Sequence, residues 1–136
     1  MGLVIDGKWV DQWYDTDQSG GRFERQSSKF RHWIEADDHR FTPESGRYHL
    51  YVSLACPWAH RTLIFRSLKN LDAHVSVSVV DPLMLSEGWV FSEPEALMGC
   101  QRMYEIYLAS DKGYEGRVTV PVLWDKKEGT IVNNES

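Results

Sequence analysis

The chain has 136 residues, 42% of them hydrophobic, with 15 basic against 20 acidic side chains and a net charge of -5. That is enough apolar material for one small domain, or a domain plus an extended arm, and the acidic balance argues against bulk nucleic-acid binding. No apolar run reaches the roughly 18 residues a membrane span needs, and the opening Met1-Gly2-Leu3-Val4-Ile5-Asp6 reads as neither a secretory signal nor, with Asp6, a myristoylation site.

Residues 1–47 are rich in Gly, Ser, Asp and Arg, with Trp9, Trp13, Tyr14, Phe23, Phe30 and Trp33 scattered without alternation. They read as an extended N-terminal arm with a short helix over 27–36, its aromatics anchored on a neighbouring surface. Gly20-Gly21 and the stretch 43–46 punctuate it. A basic cluster, Arg22, Arg25, Lys29, Arg31 and His32, is either a solvated face or a local anion site.

From Tyr48 the pattern becomes orderly. Residues 48–53 predict a strand. A turn then carries Cys56, and a helix is expected over 57–71, with Pro57 where a missing N–H is tolerated. Trp58, Leu63, Ile64, Phe65 and Leu68 supply its apolar face. The β-branched run 75–80, alternating with serine, predicts a second strand, and a strand–helix–strand unit of this length favours parallel pairing. Residues 81–94 form a loop carrying Trp89. A second helix is expected over 95–110, with Leu97, Tyr104, Ile106, Tyr107 and Leu108 as apolar material. Strands follow over 119–124, interrupted by Pro121, and over 130–133. Asn134-Glu135-Ser136 reads as the start of a further helix, so the chain is expected to be a fragment of a longer protein.

The order β-α-β-α-β-β, with the last helix truncated, is that of an α/β thioredoxin-like fold over 48–136. Cys56 occupies the start of its first helix and Val120-Pro121 the place of its proline, so a cis Val120–Pro121 bond is expected.

A thiol at a helix N-terminus faces unpaired backbone N–H groups and the positive end of the helix dipole, which favour the nucleophilic thiolate. A thioredoxin proper has a second cysteine three positions on. Here that residue is Ala59, so Cys56 needs an external thiol, of which glutathione is the obvious one. Cys100, on the expected second helix, reads as a structural thiol. Two cysteines are too few for a disulfide framework, and the chain is expected in the reducing cytoplasm. The five histidines show no metal-ligand spacing with the cysteines, and no metal is expected. No glycine-rich phosphate loop is present. His60 and Arg61 tempt a catalytic role, but side chains four and five residues into the helix are expected to point away from the sulfur.

The segment Tyr48-His-Leu-Tyr-Val-Ser-Leu-Ala-Cys56-Pro-Trp-Ala-His-Arg61 resembles the active-site stretch of the Xi-class glutathione transferases, or glutathionyl-hydroquinone reductases. So do Val77 to Met84 with Gly88-Trp89, Gly116 to Lys127 around the proline, Ile131 to Ser136, and the opening Ile5-Asp-Gly-Lys-Trp9, Trp13-Tyr-Asp15 and Gly20 to Phe23. The resemblance implies that Cys56 attacks the sulfur of a glutathionyl-hydroquinone and that a second glutathione resolves the resulting mixed disulfide. It places glutathione, as co-substrate, against Trp89, Arg117, Val118, Thr119, Val120, Glu135 and Ser136. Val120 would pair through its backbone, and Glu135 and Ser136 would hold the γ-glutamyl end. Each also has a plainer reading: Trp89 as a core aromatic, Arg117 as a solvated strand-edge charge, Pro121 as an edge-strand breaker, Glu135 and Ser136 as ordinary first-turn residues. Full-length members add a helical C-terminal domain that supplies the hydroquinone pocket and much of a homodimer contact. This chain lacks it, so the alternatives are a non-catalytic glutathione-binding module or a glutaredoxin-like enzyme with another substrate.

Overall fold

Asp6-Gly7 sits between two short apolar runs, and its backbone is left-handed at both positions (φ 48° and 70°). This is the two-residue turn that matches the twist of a hairpin. Strands β1 (Leu3–Ile5) and β2 (Lys8–Val10) accordingly pair antiparallel. The computed structural model describes residues 1–12, 17, 20–22 and 27–136, so expectations for Trp13, Tyr14, Phe23 and Arg25 lie outside the described residues. The arm therefore opens with a hairpin rather than an unpaired extension. It is held by β5 (Gly116–Arg117), which adds to β1 in a sheet of order β2-β1-β5. Trp9 fastens the hairpin. Its ring stacks on Tyr104 with centroids 5.2 Å apart, and its Nε1–H donates to the Ser86 carbonyl at 2.8 Å. Gly88 makes room for it: a Cβ there would lie 2.6 Å from the indole, and its φ of +72° also suits glycine.

The helix expected over 27–36 does not form. Residues 30–34 run extended beside β7 (Thr130–Asn133): His32 N–H donates to the Val132 carbonyl at 3.0 Å, and Asn134 N–H to the Phe30 carbonyl at 3.2 Å. An edge strand presents a row of unsatisfied backbone groups, and this strap satisfies part of that row. Phe30 then packs on Tyr107 and Tyr114. Trp33 anchors nothing here, being 75% exposed.

The main sheet has the order β4-β3-β6-β7, with β3 (Tyr48–Val52) central and buried throughout. It pairs parallel with β4 (Val75–Val79) and antiparallel with β6 (Val122–Asp125), and β6 pairs antiparallel with β7. This is the thioredoxin-like arrangement. The serines that alternate along β4 have a use. Ser76 Oγ lies 2.6 Å from His49 Nδ1 and Ser78 Oγ 2.8 Å from its Nε2, so both ring nitrogens of this buried histidine are satisfied. Burial, with Lys126 nearby, pushes the His49 pKa from 6.5 down to about 4. Between those values the unfolded chain binds a proton that the folded chain refuses, so stability falls as pH drops through the window. Urea midpoints measured at pH 7 and pH 4.5 are expected to fall more in the native chain than in His49→Gln. Equal falls would remove this role.

Helix α1 spans Pro57–Leu68, ending three residues short of expectation. Its inward stripe is Ala59, Thr62, Leu63 and Arg66, with Ala59 fully buried. Of the expected apolar face only Leu63 packs on the core; Trp58, Ile64, Phe65 and Leu68 are 44–70% exposed. They fall on other faces of the helix, where they stay largely open to solvent.

Helix α2 is Met103–Ser110, half the length expected. The residues before it wrap a buried carboxylate instead. Glu95 accepts from the backbone N–H groups of Leu97, Met98 and Cys100 at 2.7–3.1 Å and from the Tyr51 hydroxyl at 3.0 Å. A side chain that collects the local amides competes directly with the helical ladder. Burial raises the Glu95 pKa, but these four donors outweigh it and hold it low. Met103, Ile106 and Tyr107 then bury the inner face of α2.

Candidate active site

The loop after β3 delivers Cys56 to the N-cap of α1. Its backbone is extended, its own N–H donates to the Ser53 carbonyl at 3.2 Å, and its carbonyl accepts from His60 N–H at 3.0 Å. Pro57 has no N–H, and the amides of Trp58 and Ala59 have no acceptor among the described residues. The first turn thus leaves two donors open beside the half-buried sulfur.

Opposite, the Val120–Pro121 peptide bond is cis, as expected. Cys56 Sγ donates to the Val120 carbonyl at 3.6 Å, so sulfur and proline loop face each other. Val120 N–H has no partner among the described residues. The proline interrupts the strand as expected, but regular pairing starts only at Val122, and residues 118–121 form a loop leading into β6.

Between these elements lies a cavity of about 470 Å³, within the range that holds small-molecule ligands. Cys56, Trp89, Arg117, Thr119, Val120, Glu135 and Ser136 all line it. Val118 does not: its side chain is 2% exposed and packs in the core. Alternation along an extended segment explains this, since Arg117 and Thr119 face one way and Val118 the other.

The cavity also gathers residues that sequence patterns did not place there. Arg61 lies on its wall, with its guanidinium over the Trp58 ring and its Nη1 3.4 Å from Ser136 Oγ. Its contacts are with Trp58 and Ser136, so it joins the cavity by the reach of a long arginine rather than by a contact with the Cys56 sulfur. His60 is exposed and does not line it. Lys29 reaches the wall from the strap, its ammonium 5.4 Å from the Tyr114 ring centroid. The basic cluster around it was the available signal. Ser28 and Asn134 join the same wall and hydrogen-bond to each other. Cys100 is elsewhere. Burial, with Glu95 and Glu105 nearby, pushes its thiol up to about 11, as suits an unreactive group. No cluster of three or more metal-ligating side chains occurs among the described residues.

Residues 55–136, from the active-site turn to the last strand and its wall residues, match the family described as glutathione S-transferase, N-terminal domain. The chain belongs to this family. Among relatives of this glutathione transferase domain, glutathionyl-hydroquinone reductase YqjG of Escherichia coli K12 is 54% identical across 100% of this chain and 45% of its own length. The Xi-class transferase of Natrialba magadii has a solved structure that superposes with a TM-score of 0.85 at 46% identity, covering 99% of this chain and 42% of that one. The glutathione-bound structure of YqjG gives a TM-score of 0.75 at 54% identity, over 78% of this chain and 39% of that one. The chain spans about half the length of the curated relatives it matches, 45% and 44% for two of them. No helix of the described transferase domain is long and apolar enough to cross a membrane.

Proposed function

We propose that this transferase domain binds glutathione in the Cys56 cavity and, as part of a full-length reductase, removes glutathione from glutathionyl-hydroquinones. The observation that carries the reading is the position of Cys56 Sγ. It sits at the mouth of α1, beside two open amides and 3.6 Å from the Val120 carbonyl that precedes the cis-proline. Amides at a helix start stabilise an anionic sulfur. Val120 can offer its unpartnered N–H to the cysteinyl unit of the tripeptide, in the manner of an added strand. Glu135 and Ser136 stand at one side of the cavity, suited to the γ-glutamyl group, while Arg117 and Lys29 bring positive charge for carboxylate. Trp89 walls the pocket. Val118 supports this frame from the core rather than by side-chain contact.

The step balances without metal or flavin. The Cys56 thiolate attacks the glutathionyl sulfur, a disulfide forms, and the sulfur–aryl bond breaks. The aryl carbon keeps the electron pair and takes a proton, leaving as hydroquinone. A second glutathione thiolate then attacks the mixed disulfide, releasing oxidised glutathione and restoring the Cys56 thiolate. Related proteins named as glutathionyl-hydroquinone reductases, one solved with glutathione bound, support this assignment.

In the full-length protein, a helical domain would cover the outward face of α1, where Trp58, Ile64, Phe65 and Leu68 lie open. It would complete the hydroquinone pocket and contribute to a homodimer, and the whole would work in the cytoplasm. Within this chain the arm, residues 1–47, and the thioredoxin-like part, 48–136, would act together, since Lys29 from the first lines the cavity of the second. The test is mass spectrometry of the chain after incubation with oxidised glutathione. A single glutathionyl adduct on Cys56, removed by fresh glutathione, is expected. Glutathione binding without an adduct would favour a non-catalytic module.

A further inference from the structure

We infer that Tyr107 is a positioning residue for the glutathione cradle, joining its two halves through one buried hydroxyl. The inference rests on the glutathione reading of the Cys56 cavity. Tyr107 lies on the inner face of α2 with no exposed surface. Its hydroxyl donates to the Thr119 carbonyl at 2.9 Å and accepts from Thr119 N–H at 3.2 Å. It also accepts from Asn134 Nδ2 at 3.0 Å. A phenol offers one proton and two acceptor sites, so its capacity is full.

These contacts fall at telling places. Thr119 is bound at both its N–H and its C=O, immediately before Val120, whose carbonyl faces Cys56. Asn134 immediately precedes Glu135 and Ser136, which line the same cavity. The first segment enters β6 and the second leaves β7, and Tyr107 bonds to both. Phe30 and Tyr114 press on the ring, holding it in place. Aromatic content alone marks Tyr107 as core material, and only the hydroxyl's partners reveal the second role. A small displacement of either wall would misalign a ligand that touches both, which slows a reaction far more than it weakens the fold.

The test compares Tyr107→Phe with Tyr51→Phe in the full chain. Tyr51 is equally buried and its phenylalanine variant likewise leaves a buried hydroxyl's partner unpaired, here Glu95, but Tyr51 does not line the cavity. Two rates are read at Cys56 well below the melting temperature: mixed-disulfide formation with oxidised glutathione, and alkylation by iodoacetamide. In Tyr107→Phe the first is expected to fall about tenfold and the second to stay within about twofold. In Tyr51→Phe both are expected to stay. Asn134→Ala, which breaks the β7-side bond to Tyr107 together with the Ser28 contact, is expected to slow the glutathione reaction in the same direction and more than Ser28→Ala, which removes the Ser28 contact alone; this comparison decides the matter if Tyr107→Phe does not fold. Equal rate ratios in Tyr107→Phe and Tyr51→Phe, or an unaffected Asn134→Ala, would overturn the inference. A native chain that reacts no faster with oxidised glutathione than with hydroxyethyl disulfide would overturn the glutathione reading itself, and the inference with it.

Discussion

Cys56→Ser is expected to abolish the glutathionyl adduct in this chain and to lower turnover in a full-length parent by on the order of a thousandfold or more, as loss of a covalent nucleophile does. Serine keeps the size of the side chain, and Cys56 is only half-buried, so the cost in stability should be about 0.5 kcal/mol or less. A hydroxyl at the same helix start is far harder to ionise than a thiol and cannot form a disulfide. Cys100→Ser serves as the control. That thiol is pushed up to about 11 and lies off the cavity, so adduct formation should survive its loss. Intact protein mass after treatment with oxidised glutathione reads both variants. An adduct that persists in Cys56→Ser and disappears in Cys100→Ser would transfer the chemistry to the wrong sulfur and end the proposal.

Asp125→Asn is expected to produce the largest loss of stability. Asp125 is fully buried at the end of β6, and both its oxygens accept from Arg47, from Nε at 2.9 Å and from Nη2 at 2.6 Å. Lys127 N–H donates to it as well, at 2.8 Å. Burial raises the Asp125 pKa, but Arg47 and the backbone donors outweigh it and hold it low. Its contribution is therefore present above the unfolded carboxylate value and lost as pH falls through the folded one. Removing the charge strands the guanidinium of Arg47, a residue only 6% exposed. Breaking a buried pair from one side costs about 3–5 kcal/mol. Glu44, 3.3 Å from Arg47 Nη1, offers partial relief and argues for the lower end. Against a typical domain stability of about 5–15 kcal/mol this is a large share, and a drop in melting temperature of about 10 °C is expected. The exposed pair Arg66–Asp72 gives the contrast: Asp72→Asn should cost about 1 kcal/mol or less. Arg47 directly precedes β3 and Asp125 ends β6, at the end of the sheet opposite Cys56, so adduct formation by Asp125→Asn well below its melting temperature should be unchanged. Similar melting points for the two variants would show that the buried pair carries no special weight.

Local patterns were readable where local physics decides. The strand 130–133, the alternating strand after Leu71, the helix opened by Pro57 and the cysteine at its N-cap follow from residue order alone. The cis-proline was also legible, because a proline at the entrance to a buried strand has few other roles. The hairpin at Asp6-Gly7 was missed, because the irregular composition of residues 1–47 reads as an extended arm. The helix expected over 27–36 and the 95–102 part of the one expected over 95–110 failed for a shared reason: backbone groups found better partners outside the helical ladder. In the first case the partner was the open edge of β7, in the second the carboxylate of Glu95.

Residue order alone therefore determined the element sequence of the thioredoxin-like core and the presence of one cysteine at a helix start. Both depend on spacing along a single stretch of chain. The assembly of the cavity was decided only in three dimensions. Lys29 comes from the strap, Arg61 from α1, Arg117 from the strand that clamps the arm, and Asn134 to Ser136 from beyond β7. Val118 was turned away from it by the pleat of the segment that carries Arg117 and Thr119. Which side of a segment faces a cavity, and which distant segments meet there, depend on strand order and register. Those are settled by burying the core as a whole, and no local window of sequence contains them.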